Sequence, residues 1–499
     1  MTGVVINEVR RGFYLDSVAL MRLSRTVAQM DDVEQAALMV GTPANIEIMA
    51  DAGLLDATGR AAAGGDLIIA IMAVSPEAGQ AALTEAMRLI DQPAGARDDG
   101  QAWRPRTLRA AVRSLAGSNL ALISVPGAFA AGEALKALRH DLHVMLFSDN
   151  VSLEDEVDIK HEARERGLLL MGPDCGTAII NGVPLAFANR VPRGDVGIIG
   201  ASGTGTQEIS CLIAQGGGGV SQAIGVGGRD LTAEVGGITT LTALDALDRD
   251  PRTRHIVIVA KPPAPDVAAA VVDRITESAK SFTLCFIGAD EISTPANTTC
   301  TTTLKAAAES ALGSALPGAG FDIAAAARGL QPGRRLVHGL YSGGTLCAEA
   351  QAIFRSRGET IMSNAPIPGA SGLEQGSGGH CMVDFGSDEY TRGRPHPMID
   401  PSVRDEALRT ALTDPNIGIV LLDVVIGLGA HEDPAGHLAG ILDGRPAVGP
   451  LVIASVTGTD ADPQGRSLQM QKLLAAGVLV APCNADAATA AATWLASDR

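Results

Sequence analysis

Aromatic side chains are scarce in this sequence, at 3% of 499 residues, and charged residues make up only 19%. A core built on Phe, Tyr and Trp is thereby excluded, and the apolar share of 46% comes mainly from small and branched aliphatic residues. Such a composition is typical of parallel α/β sheets, whose buried strands read as runs of Val, Ile and Leu. We therefore expect an α/β protein.

Paired cysteines and long apolar runs are also missing. The seven cysteines are scattered and form no Cys-x-x-Cys pair, which favours reduced, buried thiols over a zinc ribbon or a redox pair. No apolar stretch reaches the length of a membrane span, and the first residues show no charged-then-apolar signal pattern. We expect a cytoplasmic protein.

Positive charge is in short supply, since 39 Lys and Arg face 56 Asp and Glu, for a formal net charge of −17. Nucleic acid and anionic membranes need a basic surface, so neither is expected as a partner. A small anionic substrate would have to be bound locally, by helix ends and a few arginines.

One glycine-rich loop follows an apolar run of strand length. Residues 196–199 lead into Gly-Ala-Ser202-Gly203-Thr204-Gly, and a helical pattern begins near Thr206. The unpaired N–H groups and positive dipole end of a helix start make such a loop an anion site, to which hydroxyls add donors. It is not a Walker loop, because no Gly-Lys-Ser/Thr follows. The alternative is a tight turn that binds nothing.

The same order of motifs occurs twice. In the second copy an apolar run from Leu336 leads into Ser342-Gly343-Gly344-Thr345 and a helical pattern. Each copy continues with a glycine-acid turn (223–230 and 382–389), a helix ending in Asp-Pro (244–251 and 408–415) and a strand (256–260 and 417–423). We interpret this as an internal duplication and predict that both loops lie at helix N-termini and face a common cleft.

These motifs resemble the succinyl-CoA synthetase superfamily. Residues 125–126 (Val-Pro), 171–176 (Met-Gly-Pro-Asp-Cys-Gly), 196–204 and 225–228 (Gly-Val-Gly-Gly) are similar to its α subunit, and the second copy is similar to the ligase domain of its β subunit. The fused layout with an extra N-terminal domain resembles the FdrA family. The resemblance implies several Rossmann- or flavodoxin-like, doubly wound parallel-sheet domains. It also implies a weak CoA contact at Val125 and Pro126, and substrate contacts at Gly227 and Gly228.

The resulting domain prediction has five segments. They are a small α+β domain at 1–92, a CoA-binding-like Rossmann domain at 105–192, an α-type flavodoxin-like domain at 193–290, a linker or insertion at 291–333, and a β ligase-type flavodoxin-like domain at 334–499.

The sequence departs from the superfamily in three places. The family's phosphorylated histidine, in a Gly-His-Ala-Gly loop, corresponds to residues 286–293, and no histidine lies between 256 and 337. The glutamate that holds that histidine aligns with Lys261, a cation suited to a bound anion. The glycine-rich turn that opens the family's CoA-binding domain has no counterpart before Leu120. We therefore hold CoA to be doubtful and name no certain cofactor.

A second cluster of polar residues follows the second glycine-acid turn. Asp384 and Asp388 precede Arg392, Arg394 and His396 in a loop framed by glycine and proline. Arg394 suits bidentate binding of a carboxylate or phosphate, and His396 suits the role of a proton donor or a hydrogen-bond donor near neutral pH. Together with Lys261, these two form the predicted catalytic set, and Asp384, Asp388 and Arg392 are predicted substrate contacts. A structural loop and a His/Asp metal site are the alternatives, and we predict no metal.

The first functional hypothesis is an acyl- or carbamoyl-transferring subunit that binds phosphate at the paired loops. FdrA-like proteins are implied by the resemblance to take part in oxamate carbamoyltransfer, with carbamoyl phosphate or phosphate as substrate and with partner subunits. The alternatives are an acyl-CoA synthetase subunit and a non-catalytic anion-binding scaffold. We expect a homo-oligomer that also binds the other subunits of a transferase complex.

Overall fold

A computed structural model describes residues 3–13, 15, 17–91, 105, 107–289, 292–373, 379–392, 394–446 and 448–497. The chain divides into two compact units, Met1–Leu168 with Asp388–Pro395, and Leu169–Ser387 with His396–Arg499. Each unit is described by itself. None of the helices within the described ranges combines the length and apolarity needed to cross a bilayer.

The first unit begins with a three-stranded antiparallel sheet of order β1-β3-β2. Its central strand, Leu-Ile-Ile-Ala-Ile-Met-Ala, is apolar throughout because each of its two faces packs into an apolar cluster. The elements are β1 (Val4–Arg10), α1 (Ser17–Ala28), β2 (Val33–Val40), α2 (Pro43–Asp51), α3 (Ala57–Arg60), β3 (Leu67–Ala73) and α4 (Pro76–Asp91).

The rest of the first unit alternates helices with two parallel strands, β4 and β5. Ser152 caps α7, since its Oγ accepts a hydrogen bond from the N–H of Asp155 at 3.1 Å. The elements are α5 (Leu108–Ser114), β4 (Leu120–Ile123), α6 (Gly127–Leu138), β5 (His143–Leu146) and α7 (Leu153–Glu165).

The first large sheet of the second unit has seven strands in the order β13-β12-β11-β9-β10-β7-β8. The strands from β13 to β10 are parallel, and β7 joins antiparallel. The elements here are β6 (Leu170–Met171), β7 (Thr177–Ile180), β8 (Val183–Ala186), β9 (Arg193–Gly200), α8 (Gly203–Gln215), β10 (Val220–Gly225), α9 (Ile238–Arg249), β11 (His255–Ala260), α10 (Pro265–Thr276), β12 (Ser281–Phe286), β13 (Thr298–Thr301), α11 (Leu304–Leu312) and α12 (Ile323–Ala327).

The second large sheet also has seven strands, in the order β16-β15-β17-β14-β18-β19-β20, and all of them are parallel. The elements are β14 (Leu336–Tyr341), α13 (Gly344–Ser356), β15 (Ile361–Ser363), β16 (Ser371–Gly372), β17 (His380–Asp384), α14 (Asp388–Thr391, in the first unit), α15 (Asp405–Thr413), β18 (Ile417–Val425), α16 (Pro434–Leu442), β19 (Leu451–Thr457), α17 (Arg466–Ala475), β20 (Leu479–Ala481) and α18 (Asn484–Ser497).

The two large sheets share one central topology, as the duplicated motifs predict. In the first, β9 lies between β11 and β10, and β12 follows β11; in the second, β14 lies between β18 and β17, and β19 follows β18. One apolar core joins the two sheets, because residues from both halves pack in a single cluster. The doubly wound parallel-sheet architecture is therefore confirmed.

Two segments of the domain prediction contribute strands to the first large sheet, and the domain bounds themselves stay a prediction. Residues 291–333, expected to be a linker or insertion, supply β13 to the first large sheet and α11 to the shared core, where Leu304 and Ala307 are fully buried. Residues 177–186, expected to belong to the 105–192 domain, supply β7 and β8 to the same sheet. Threonine-rich strands and short hairpins lack the long apolar runs by which sheet membership is read from sequence.

Candidate anion-binding site at two helix starts

The loops after β9 and β14 each start a helix, and the two starts touch. Ser202 is the N-cap of α8, and its Oγ accepts a hydrogen bond from the N–H of Gly205 at 3.1 Å. Gly343 is the N-cap of α13. The hydroxyls of Ser202 and Thr345 are in direct hydrogen-bond contact. The predicted placement at helix N-termini is thus confirmed, and the two loops meet; the common cleft and the binding of an anion stay predictions.

The two loops differ in what their backbone amides already bind. The N–H groups of Ser342 and Gly343 both donate to the carboxylate of Asp423, each at 2.7 Å. At the matching place beside the first loop, Ala201 N–H donates to the backbone oxygen of Val259 at 2.9 Å. The second loop therefore holds an internal anion where the first has a main-chain contact.

Arg404 neutralises this internal anion, the carboxylate of Asp423. Asp423 is fully buried, and Arg404 Nη1 lies 2.8 Å from its Oδ1 while also donating to the backbone oxygen of Leu340. The ligand role predicted for the amides of Ser342 and Gly343 is therefore corrected, because Asp423 uses both donors. Gly344 and Thr345 are in the first turn of α13. The backbone N–H groups of a first turn have no acceptor within the helix, so these two remain as donors for a ligand.

Asp384 and His396 both lie at the start of α13. A Cβ added at Gly344 would lie 2.6 Å from Asp384 Oδ2. A Cβ added at Gly386 would lie 2.6 Å from the backbone oxygen of Ser342, 2.7 Å from His396 Nε2 and 3.2 Å from Asp384 Oδ1. These atoms surround Gly386, so the structure joins two residues of the predicted cluster to the second loop.

His396 has a different protonation state from the one expected. Burial lowers its pKa to about 4, although the side chain keeps partial solvent contact. The imidazole is therefore neutral at pH 7, and its Nδ1 lies 3.2 Å from the N–H of Met398 as acceptor. The predicted role as a proton donor near neutral pH is therefore corrected, and the alternative role as a hydrogen-bond donor stays a prediction.

The two glycines of the turn after β10, Gly227 and Gly228, have different surroundings. Gly227 has a φ of +88°, and a Cβ there would clash with the backbone oxygen of Pro173. Gly228 has no atom within 4 Å of an added Cβ, so the space beside it is open. Tight packing thus explains Gly227, and open space for a ligand is present only at Gly228.

The remaining predicted site residues lie on the surface or in packed turns. Lys261 directly follows β11 and is exposed, as are Asp388, Arg392 and Arg394 in the first unit. In the same unit, Val125 N–H donates to Ser148 Oγ at 3.0 Å, and Pro126 is the N-cap of α6. The CoA contact of Val125 and Pro126 stays a prediction.

A pair of buried glutamates is a feature that the sequence analysis missed. Glu208 and Glu349 occupy the same position in α8 and α13, six residues after the N-cap of each helix. Both side chains are almost fully buried. The repeated Gly-Thr-x-x-x-Glu (203–208 and 344–349) was the signal that could have revealed them.

Asn484 links these two acids. Its N–H donates to Glu208 Oε1 at 3.3 Å, and its Nδ2 donates to Glu349 Oε2 at 2.7 Å. Burial raises the pKa of Glu208 and raises that of Glu349 to about 8, and the nearby Glu208 charge adds to the shift of Glu349. Glu349 is therefore largely protonated at pH 7.

We expect this burial to make stability depend on pH. Because the pKa of Glu349 is raised on folding, its contribution is fully present below about pH 4.5 and is lost as pH rises through about 8. Glu349→Gln should remove part of that loss, on the order of a few kcal/mol. Urea unfolding of both proteins at pH 5, 7 and 8.5 measures this; equal pH slopes would contradict it.

Five buried thiols are poor nucleophiles at neutral pH, because burial keeps them protonated. All seven cysteines are free, and only Cys300 is exposed. Burial raises the pKa of Cys381 to about 11 and that of Cys285 to about 12, and raises the thiol pKa of Cys211, Cys347 and Cys483 further. This confirms the expectation of buried, reduced thiols for six of the seven.

Within the described residues no group of His, Cys, Asp and Glu is arranged to hold a metal.

Three family models match the chain. They are "AllF, heavy metal-associated domain" at residues 1–105, "CoA binding domain" at 192–288 and "CoA-ligase" at 340–494. Residues 1–105 contain neither cysteine nor histidine. Two ligand types that heavy metals commonly use are therefore absent, and methionine thioethers are the soft donors that remain in this segment.

Two solved structures are similar to this chain at low sequence identity. Acetyl-coenzyme A synthetase 1 of Ca. Korarchaeum cryptofilum is 15% identical and covers 76% of this chain and 83% of its own, with a TM-score of 0.29. ATP citrate lyase of Methanothrix soehngenii is also 15% identical and covers 42% of this chain and 38% of its own, with a TM-score of 0.33. At these scores the fold assignment rests on the strand orders given above.

Curated relatives are of two kinds. The α subunit of the ADP-forming succinate–CoA ligase of Methanothermobacter thermautotrophicus is 25% identical over 33% of this chain and 56% of its own length, so the match spans about half of that relative. The uncharacterized protein YahF of Escherichia coli is 40% identical over 95% of both chains. The chain therefore belongs to the FdrA-like family of YahF, with a fold of the acyl-CoA synthetase and succinyl-CoA ligase type.

Proposed function

We propose that this chain is a subunit of an acyl- or carbamoyl-transferring enzyme that holds phosphate without a covalent phosphoenzyme. The observation that carries the proposal is the contact between Ser202 and Thr345, which brings two helix starts to one point. Each helix start attracts negative charge by about 0.3–1 kcal/mol, or up to roughly 2 when partly buried. Together with a cationic side chain, such a pair suits one phosphate group.

The reaction that we infer in particular is oxamate carbamoyltransfer, the phosphorolysis of oxalurate in allantoin breakdown. A phosphate oxygen attacks the carbamoyl carbon, the bond from that carbon to the oxamate nitrogen breaks, and the nitrogen takes a proton. The products are carbamoyl phosphate and oxamate. Stabilising the oxyanion and placing phosphate are the main requirements.

Partner subunits belong to the proposal. The succinate–CoA ligase relatives are named α subunits, and this chain carries α-like and β-like halves together. We propose a homo-oligomer that also binds other chains of a transferase complex. The test is an assay with oxamate and carbamoyl phosphate, with and without the neighbouring gene products; no transfer in any combination would contradict the proposed reaction.

An acyl-CoA synthetase subunit is the second candidate, because both CoA-type models match. The two candidates differ in their need for a phosphohistidine, and no histidine lies between 256 and 337. After incubation with ATP or GTP and Mg²⁺, we therefore expect no acid-labile phosphate on the chain. A succinate–CoA ligase α subunit serves as positive control. A stoichiometric phosphohistidine at His338, His380 or His396 would favour the ligase.

A fully active assembly in which this chain binds no phosphate would favour a non-catalytic scaffold role for this chain.

Ser202→Ala tests the loops directly. The variant loses the cap of α8 and the contact with Thr345, so binding of carbamoyl phosphate, measured by calorimetry, should weaken several-fold. Ser152→Ala is the matched control, since Ser152 caps α7 with the same hydrogen bond. Each variant should lose about 1 kcal/mol of stability, but only Ser202→Ala should weaken binding. Equal binding by both variants would show that the Ser202 loop holds no ligand.

A further inference from the structure

A cavity lies in the second unit, at the opposite end of α8 from Ser202. Its volume is about 340 Å³, and the last turn of α8, the segment 316–320, α17 and the start of α18 surround it. Its apolar wall is formed by Leu212, Leu316, Met470 and Val480. Pockets of this size hold small organic molecules.

The charged groups of the cavity do not cancel. Lys305 Nζ is held by Asp486, with its oxygens at 2.8 and 3.0 Å, and by the backbone oxygen of Pro317 at 2.8 Å. Arg466 donates from Nε to the backbone oxygen of Val456 at 3.1 Å and from Nη2 to that of Pro482 at 2.8 Å. Two cations and one carboxylate leave a net charge of +1 at the cavity.

Arg466 is oriented but not neutralised. Its two acceptors are backbone oxygens, which fix the plane of the guanidinium, and its charge helps to lower the pKa of nearby Asp460 without an ion pair between the two. Within the described part of the chain, no carboxylate forms an ion pair with Arg466, and Nη1 makes no hydrogen bond to protein. A planar fork held in this way matches a carboxylate.

We propose that this cavity binds a small monocarboxylate with an apolar body. The carboxylate pairs with Arg466, and the body packs on Leu212, Met470 and Val480. Asp486 disfavours a dianion such as phosphate, because a second negative charge would meet a fixed carboxylate. The site is separate from the loop of Ser202, and the inference does not depend on the proposed transfer reaction.

Hexanoate is the probe for calorimetric titration of the full chain. Binding should saturate with one molecule per chain. Hexanamide, which lacks the charge, and inorganic phosphate, which lacks the apolar body, should bind at least tenfold more weakly. Absence of hexanoate binding, or equally tight binding of phosphate, would overturn the proposal.

Three variants test whether hexanoate binds in this cavity. Arg466→Gln should weaken hexanoate binding by roughly ten- to a hundred-fold, and Arg466→Lys should restore part of it. Met470→Trp should fill the cavity and abolish binding while circular dichroism stays unchanged, which keeps the test valid even if Arg466→Gln unfolds. Arg254→Gln, at an arginine that is 81% exposed, is the matched control and should bind normally. Normal binding by Met470→Trp would overturn the proposal.

Discussion

Replacing Asp423 with alanine should lower the free energy of unfolding by about 3–5 kcal/mol, the cost typical of breaking a buried ion pair by removing one partner. The side chain is fully buried and accepts hydrogen bonds from two loop amides and from Arg404. Without it, the Arg404 guanidinium is buried without its carboxylate, and the amides of Ser342 and Gly343 have no acceptor. Chemical denaturation of the two proteins measures the loss.

The matched control for this prediction is an exposed ion pair of the same second unit. Arg254 Nε lies 2.8 Å from Asp195 Oδ2, with side chains 81% and 47% exposed. Asp195→Ala should therefore change stability by no more than about 1 kcal/mol. If Asp423→Ala costs no more than Asp195→Ala, the loop of Ser342 does not depend on its internal anion.

A double-mutant cycle separates the two contributions of Asp423. In Arg404→Met no buried cation is left behind, so Asp423→Ala made on that background should cost less than in the native chain. The difference measures the coupling between Arg404 and Asp423. An equal loss of stability on both backgrounds would mean that Asp423 stabilises the protein only through the amides of Ser342 and Gly343.

Arg394→Ala should lower kcat/KM of the transferase complex by roughly ten- to a hundred-fold, because a charge-assisted bidentate contact contributes about 1.5–3 kcal/mol. Carbamoyl phosphate and oxamate are anions, while the chain carries a formal net charge of −17. Long-range electrostatics therefore oppose binding, and a fixed cation near the substrate has to offset this. The side chain of Arg394 is exposed, so the melting temperature should hardly change.

Two further variants sharpen the Arg394 prediction. Arg394→Lys should recover only part of the activity, since a point charge does not reproduce the planar fork. Arg328→Ala, at another exposed arginine, is the matched control and should keep full activity. Full activity of Arg394→Ala would make the 392–396 segment structural and refute its proposed place in the active site.

The general fold could be predicted from the sequence by itself because the relevant signals are local. Apolar runs such as Ile256 to Ala260 report parallel strands buried on both faces. A loop of glycines and hydroxyl residues after such a run reports a strand-to-helix turn, and its repetition at Ser342 reports the duplication. The equivalent strand orders of the two large sheets bear this out.

Only the tertiary structure decided the chemistry around the loops, because charge and protonation depend on groups far apart in the chain. Asp423 lies 81 residues from Ser342 along the sequence and yet uses its amide. The neutral state of His396 comes from burial, which no single residue of its loop encodes. Asn484 joins Glu208 and Glu349 across 276 and 135 residues. Local pattern thus determined which elements form, and long-range packing determined which of their polar groups remain free to bind a ligand.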